Sequence, residues 1–308
     1  MQNLILLFFL IPFFYSSISA QKKETVPEPL EIGYSVGIEK ITAEKLKYAK
    51  SVNIEYIEVS GMNVLFGDNR NFLLSEAEMA EKFSNVKKWA GDAGIRIWSV
   101  HMPYGRNIDL SMTGEDERRE VVELHKKLLG FCKILNPEII LFHPSYLPGR
   151  HERDRHKDQL VKSVRELNPL VRRMKATLVI ENMLGYELVR DEKRENPLFR
   201  SVDEVVEMMK RMPRSVCSAV DTNHIKNPEK LIDSMGRRLK SVHIADGNGE
   251  KECHYLPCSG EGQNDWVVIL RALKNARYKG PFMFECAYDD EKQLVDCYHS
   301  LHSQAFVN

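Results

Sequence analysis

Neither sign of charge is in excess in this sequence. Its 308 residues carry 44 basic and 44 acidic side chains, which argues against a surface dedicated to nucleic acid or to anionic membrane. There is no CxxC pair, so the usual cysteine-type zinc site is excluded. The six cysteines show none of the dense spacing of a disulfide-stapled mini-domain. No G-x-G-x-x-G follows the first β-rich segment, so the dinucleotide-binding fingerprint of an open Rossmann sheet, the competing architecture, is missing. Apolar runs long enough to cross a bilayer are also lacking.

The one pronounced apolar run, LILLFFLIPFFY at 4–15, is followed by the small residues SSISA and then QKKE. Although no Lys or Arg precedes it, this order reads as a secretory signal cut after Ala20. The alternative is an uncleaved interfacial anchor. The expected organisation is a signal peptide at 1–20, a linker at 21–30 containing VPEP, and one domain over 31–308. The protein is then secreted or periplasmic, with no stable membrane insertion. Export permits disulfides. Cys253 and Cys258 share a loop and are a candidate pair; Cys132, Cys217, Cys286 and Cys297 sit in apolar contexts and read as packed thiols.

With 43% apolar residues the chain can fill a large core. Eight β-rich runs recur from residue 31 onward: 32–37, 56–60, 95–103, 138–145, 177–183, 215–224, 239–247 and 281–289. Helical spacing appears between or after them at 75–94, 113–135, 201–212, 265–278 and 291–304, with Thr113 and Asp116 as a candidate capping box. Near-continuous apolar strands alternating with amphipathic helices imply a parallel sheet covered by helices. Eight such units predict an α/β fold, a single closed (β/α)8 TIM barrel.

In a barrel of this kind the active site forms at the C-terminal ends of the strands. Those ends carry Glu58, His101, His143, Glu181, Asp221 with His224, His243 and Glu285, on strands two to eight. Gathering so many ionisable groups in one ring costs desolvation and repulsion unless a cation offsets it. Carboxylates with neutral imidazoles suit Zn²⁺, Mn²⁺, Co²⁺ or Fe²⁺.

The segments VIEN (179–182), VDTNH (220–224), SVHIAD (241–246) and GEGQNDW (260–266) occur in that order, each at its strand or loop. With them the chain resembles the xylose isomerase-like TIM-barrel superfamily, in its sugar phosphate isomerase/epimerase branch, over residues 31–300. The resemblance implies one divalent ion (Mn²⁺, Co²⁺, Zn²⁺ or Mg²⁺) held by Glu181, Asp221, His243 and Glu285, with Glu181 and Glu285 as the acid/base pair. It also implies substrate contacts from Glu187 and His224, which stand at the offsets the epimerases use. Glu58, His101, His143 and His254 complete the expected substrate-binding set. The implied reaction is proton transfer beside a carbonyl through a metal-stabilised enediolate, on a keto-sugar or related carbohydrate. The implied partners are a small-molecule sugar and no nucleic acid; a homo-oligomer is in keeping with the superfamily, with no interface identified.

The sequence departs from the epimerase pattern in one place. Those enzymes carry a substrate-binding Arg shortly after the strand-seven His, whereas the loop 244–260 contains none and offers Lys251 or His254. Phosphorylated sugars are mainly intracellular, so an exported member needs another diet. A lyase or hydratase on 3-keto-glycosides is the alternative reading of the same site. A multinuclear phosphodiesterase like the sister endonuclease IV branch ranks below it; His101, His143 and ECH at 252–254 approximate the extra ligands of that branch. A sugar-binding barrel without turnover is the non-enzymatic reading.

Trp98 and Trp266 read as packing residues, and Met208, Met209 and Met212 as core. Tyr34 and Phe66 are expected near the mouth as an apolar wall. The mixed-charge stretch 150–158 is expected to be a solvated helix start.

Overall fold

The computed structural model describes residues 26–146, 148–184 and 193–307. The signal-like run and Glu187 lie outside the described residues. Eight strands, β1 (Ile32–Gly37), β2 (Tyr56–Ser60), β3 (Arg96–His101), β4 (Ile139–Phe142), β5 (Thr177–Glu181), β6 (Cys217–Asp221), β7 (Leu239–His243) and β8 (Phe282–Phe284), pair in parallel in the order β7-β6-β5-β4-β3-β2-β1-β8. Ile244 N donates to Met283 O at 2.8 Å and Glu285 N to Ile244 O at 3.1 Å, which brings β7 against β8 and closes the barrel.

Each strand is followed by a helix: α1 (Ala43–Ser51), α2 (Glu76–Ala93), α3 (Glu115–Leu135), α4 (Arg153–Arg173), α5 (Val202–Arg211), α6 (Pro228–Met235), α7 (Trp266–Asn275) and α8 (Glu291–Phe306). Among the described residues no helix is long and apolar enough to cross a membrane. Residues 26–30 lie along α8, where Tyr298 Oη accepts from Leu30 N and His302 Nε2 donates to Pro27 O.

Side-chain alternation explains how this chain makes a floor and a rim from the same strands. Outward residues such as Ile140, Leu178, Ile180, Val220 and Val242 join the core shared with the helices. Inward residues Ile139, Leu141, Val179, Cys217 and Ala219 form a separate apolar cluster inside the barrel. Two residues further up the same inward rows stand His143, Glu181 and Asp221. Between β2 and β3 the register slips from Ile57↔Ile97 to Glu58↔Ser99, leaving Trp98 as the extra residue. Trp98 packs on the inner cluster and donates through Nε1 to Ser241 Oγ at 3.2 Å, sealing the lower half of the barrel.

Four sequence expectations are corrected. The α3 N-cap is Gly114, one residue past Thr113, and has no side chain to form a cap bond; the true capping box is Ser75 with Glu78 on α2. The 150–158 stretch is solvated only in part: Arg150, His151, Asp154, Arg155 and Asp158 are exposed, whereas His156 and Lys157 are buried and Arg153 forks onto Glu204 of α5 at 2.6–2.7 Å. The disulfide joins Cys258 to Cys297, so Cys253 is free and Cys297 is no packed thiol. Tyr34 is fully buried edge-on against Tyr288, and Phe66 packs on Phe72; neither lines the mouth.

Candidate active site

A cavity of about 690 Å³ opens at the C-terminal ends of the strands. Its lining includes the ionisable residues Glu181, Glu285 and His224 together with Met62, Tyr104, Tyr146 and Met183. Several of these side chains stand just beyond the strand ends. His143 follows β4 and Glu285 follows β8 by one residue, where the chain leaves the sheet and can aim a side chain across the barrel mouth.

The ligand atoms of Glu181, Asp221, His243 and Glu285 all lie within 4.8 Å of one another. His243 Nδ1 is 2.9 Å from Glu181 Oε1 and 2.7 Å from Glu285 Oε2. Asp221 spends Oδ1 on the amides of Asn223 (2.6 Å) and His224 (3.2 Å), while its buried Oδ2 has no hydrogen-bond partner. A buried carboxylate oxygen left open among four donors within 4.8 Å fits a divalent cation, and the mixed oxygen/nitrogen donor set agrees.

Two further clusters adjoin this quartet. His101 Nε2 and His143 Nε2 are 3.1 Å apart and lie 3.4 and 3.3 Å from Glu181 Oε2. Across the site, Glu252 Oε2 meets His224 Nε2 at 3.1 Å and His254 Nε2 at 3.0 Å. The Nδ1 atoms of His101, His224 and His254 each donate to a backbone carbonyl: Met102, Asn182 and Glu285. Their Nε2 lone pairs therefore face carboxylates, an arrangement that only a shared proton or a metal ion makes favourable.

The charge states show the same demand. Burial pushes the Glu181 carboxyl up, but His243 and hydrogen bonds from His101 and His143 outweigh it and hold the group well below the usual range. Glu285 is likewise opposed by burial yet drawn down to about 2, chiefly by His243. Burial dominates at Asp221 and raises it to about 6 despite His224 and His254. Burial would lower His224, but Asp221 and Glu252 bring it up to about 10. Without a metal, protons on imidazoles carry the positive charge that this ring of carboxylates requires.

The structure thus brings Glu181, Asp221, His243, Glu285, His101, His143, His224 and His254 together. Glu58, like Asp221 and His243, is 0% exposed and does not line the cavity; its Oε2 lies 3.1 Å from His243 Nε2. Inward positions 58 and 60 share a face of β2, and Ser60 is the one that reaches the opening. Lys251 does not line the cavity either.

Sequence reasoning missed the supporting frame and the apolar wall. Asn63 donates through Nδ2 to Tyr104 O and accepts from Tyr104 N at 3.3 Å, fixing that loop while the Tyr104 ring stacks on His143 at 4.0 Å between centroids. Thr222 Oγ1 donates to Ala245 O at 2.7 Å and accepts from its amide at 3.1 Å. Asp246 accepts from Trp266 Nε1 at 2.8 Å, which anchors α7 as its tryptophan suggested. The polar residue following each ligand, in VIEN and VDTNH, was the available signal for part of this frame.

Comparison with known proteins agrees with the geometry. An uncharacterised protein of Methanocaldococcus jannaschii is 24% identical over 181 residues, 58% of this chain and 66% of its own length, so the match spans just under two thirds of that relative. The fold is shared with a D-psicose 3-epimerase from Clostridium cellulolyticum H10, solved with D-tagatose, at 18% identity and TM-score 0.68 over 90% of this chain and 98% of that one. It is shared too with the 3-keto-D-glucoside 4-epimerase of E. coli, at 15% identity and TM-score 0.66 over 89% and 99%. At such identities these likenesses speak for the fold alone. The family model for the xylose isomerase-like TIM barrel matches residues 46–299, and the chain belongs to that family.

Proposed function

We propose that this protein is an exported, divalent-metal-dependent isomerase or epimerase acting on a keto-sugar or keto-glycoside. The observation that carries the reading is the convergence of Glu181, Asp221, His243 and Glu285 within 4.8 Å, beside a cavity large enough for a sugar. These four residues would hold the ion. When bound, a divalent ion supplies Lewis-acid polarisation that makes a C–H beside a carbonyl acidic enough to remove.

The chain's own residues do the rest. One of Glu181 and Glu285 takes the proton and the other returns it; return to the opposite face inverts the centre. His224 and His254, with Nδ1 atoms pinned to carbonyls, are placed to meet substrate hydroxyls. The wall of Met62, Tyr104, Tyr146 and Met183 gives an apolar surface for the rest of the sugar or for an aglycone. Where a leaving group sits β to the carbanion, elimination on a 3-keto-glycoside competes with reprotonation, and the same residues serve it. The run at 4–15 supports export, and the Cys258–Cys297 disulfide fits an oxidising compartment.

The test is proton NMR of free keto-sugars and 3-keto-glycosides incubated in deuterated water with protein stripped by chelator and reloaded with Mn²⁺, Co²⁺ or Zn²⁺. Metal-dependent exchange of the proton beside the carbonyl is expected. No exchange with any reloaded ion rejects the reading.

One observation favours a second reading. The His101–His143–Glu181 and Asp221–His224–His254 groups have the ligand types and spacings of additional cation sites, as a multinuclear phosphodiesterase would need. Metal stoichiometry separates the two: one ion per chain supports the isomerase, and three, with cleavage of a phosphodiester probe, support the hydrolase.

A further inference from the structure

Glu58 is fully buried, and a buried carboxylate requires a donor. Its Oε2 accepts from Ser99 Oγ at 2.7 Å and lies 3.1 Å from His243 Nε2; its Oε1 is buried with no hydrogen-bond partner. Ser99 sits on the neighbouring strand in direct register, Glu58↔Ser99, so the carboxylate is held in place from the side and has little freedom to swing upward.

A neutral imidazole has one N–H and one lone pair. If Nε2 carries the proton and gives it to Glu58, Nδ1 is left as the lone-pair nitrogen. Nδ1 is the atom that faces Glu181 Oε1 and Glu285 Oε2. The opposite tautomer would put a lone pair against Glu58 and leave that carboxylate with Ser99 as its only donor. We propose that Glu58 is a positioning residue: it holds His243 as the Nε2–H tautomer and so presents Nδ1 to the divalent ion.

This rests on the metal-dependent reading above. Ligating histidines commonly give their second nitrogen to a carboxylate, which orients the ring and strengthens the bond to the metal. A competing arrangement has Glu58 as a ligand itself, since its carboxylate groups with His101, His243 and Glu285 within 4.8 Å. Against it, Glu58 Oε2 is already shared by Ser99 and His243.

Two measurements on the full chain test the proposal. In the Zn²⁺-loaded protein, a long-range ¹⁵N–¹H correlation spectrum should show the His243 proton on Nε2 and a zinc-shifted Nδ1. A proton on Nδ1 overturns the proposal without recourse to any variant. Calorimetric titration with Mn²⁺ should give a Kd raised about 10- to 100-fold in Glu58→Gln, and more in Glu58→Leu, with circular dichroism confirming that each variant is folded. Unchanged Mn²⁺ affinity in folded variants overturns it. Wild-type protein that binds neither Mn²⁺ nor Zn²⁺ sinks the metal reading itself, an outcome distinct from wild type and variants binding equally.

Discussion

Asn182 grips the main chain of Asp221 from both sides, accepting from Asp221 N at 2.8 Å through Oδ1 and donating to Asp221 O at 3.1 Å through Nδ2. Both residues are fully buried. The strand pairing of β5 with β6 runs out at Glu181↔Ala219, so this side chain continues the ladder where the backbone cannot. Asn182→Ala leaves two buried backbone groups unpaired. It should cost about 2–4 kcal/mol in urea unfolding and weaken Mn²⁺ binding, because Asp221 loses its fixed position.

Glu181→Gln and Glu285→Gln each remove a proton acceptor while keeping size and shape. Each should lower turnover by about 10²- to 10⁴-fold with the circular dichroism spectrum unchanged. Single-turnover deuterium exchange is the measurement to make on both. Activity that survives Glu285→Gln refutes the two-base scheme.

The Cys258–Cys297 bridge closes a 39-residue separation and fastens the β7–α7 loop, which carries Glu252 and His254, to α8. The double variant Cys258→Ser/Cys297→Ser should lose about 4 kcal/mol by chain entropy, read from denaturant midpoints. Peptide mapping without reduction should recover the 258–297 pair and find Cys253 open to alkylation.

His125 gives the stability a pH dependence of its own. It is buried on α3, donates through Nε2 to Ile108 O at 3.2 Å, and burial pushes it from 6.5 down to about 4. Between those values the unfolded chain binds a proton that the folded chain refuses. The stability contributed is therefore complete above pH 6.5 and falls as pH drops toward 4, by about 3 kcal/mol in total. His125→Gln should flatten that segment of a stability-versus-pH curve; an unchanged slope refutes the assignment.

Much of the barrel and of the site is written in periodicity. Strands of alternating residues capped by His, Asp or Glu need only local pattern to be recognised, whereas the choice of Glu181, Asp221, His243 and Glu285 among those strand ends rests on the family resemblance. What escaped was decided by distance or depth. Cys258 meets Cys297 because a loop folds back on α8, which spacing along the chain does not encode. The buried part of the α4 start was hidden among the charges at 150–158, of which Arg153 and Lys157 turn toward Glu204 and Glu207 of α5. Glu58 reads like a strand-end residue, but β2 continues two residues beyond it, and that places it one layer down.

Trp98, turned inward by a one-residue slip in strand pairing, has a bearing on traffic through the molecule. Among the described residues, it and its apolar neighbours fill the lower barrel beneath the rim. Whatever reacts at the rim has to back out by the door through which it came. Product and incoming substrate then compete for a single vestibule, and reaction progress curves should show competitive inhibition by product.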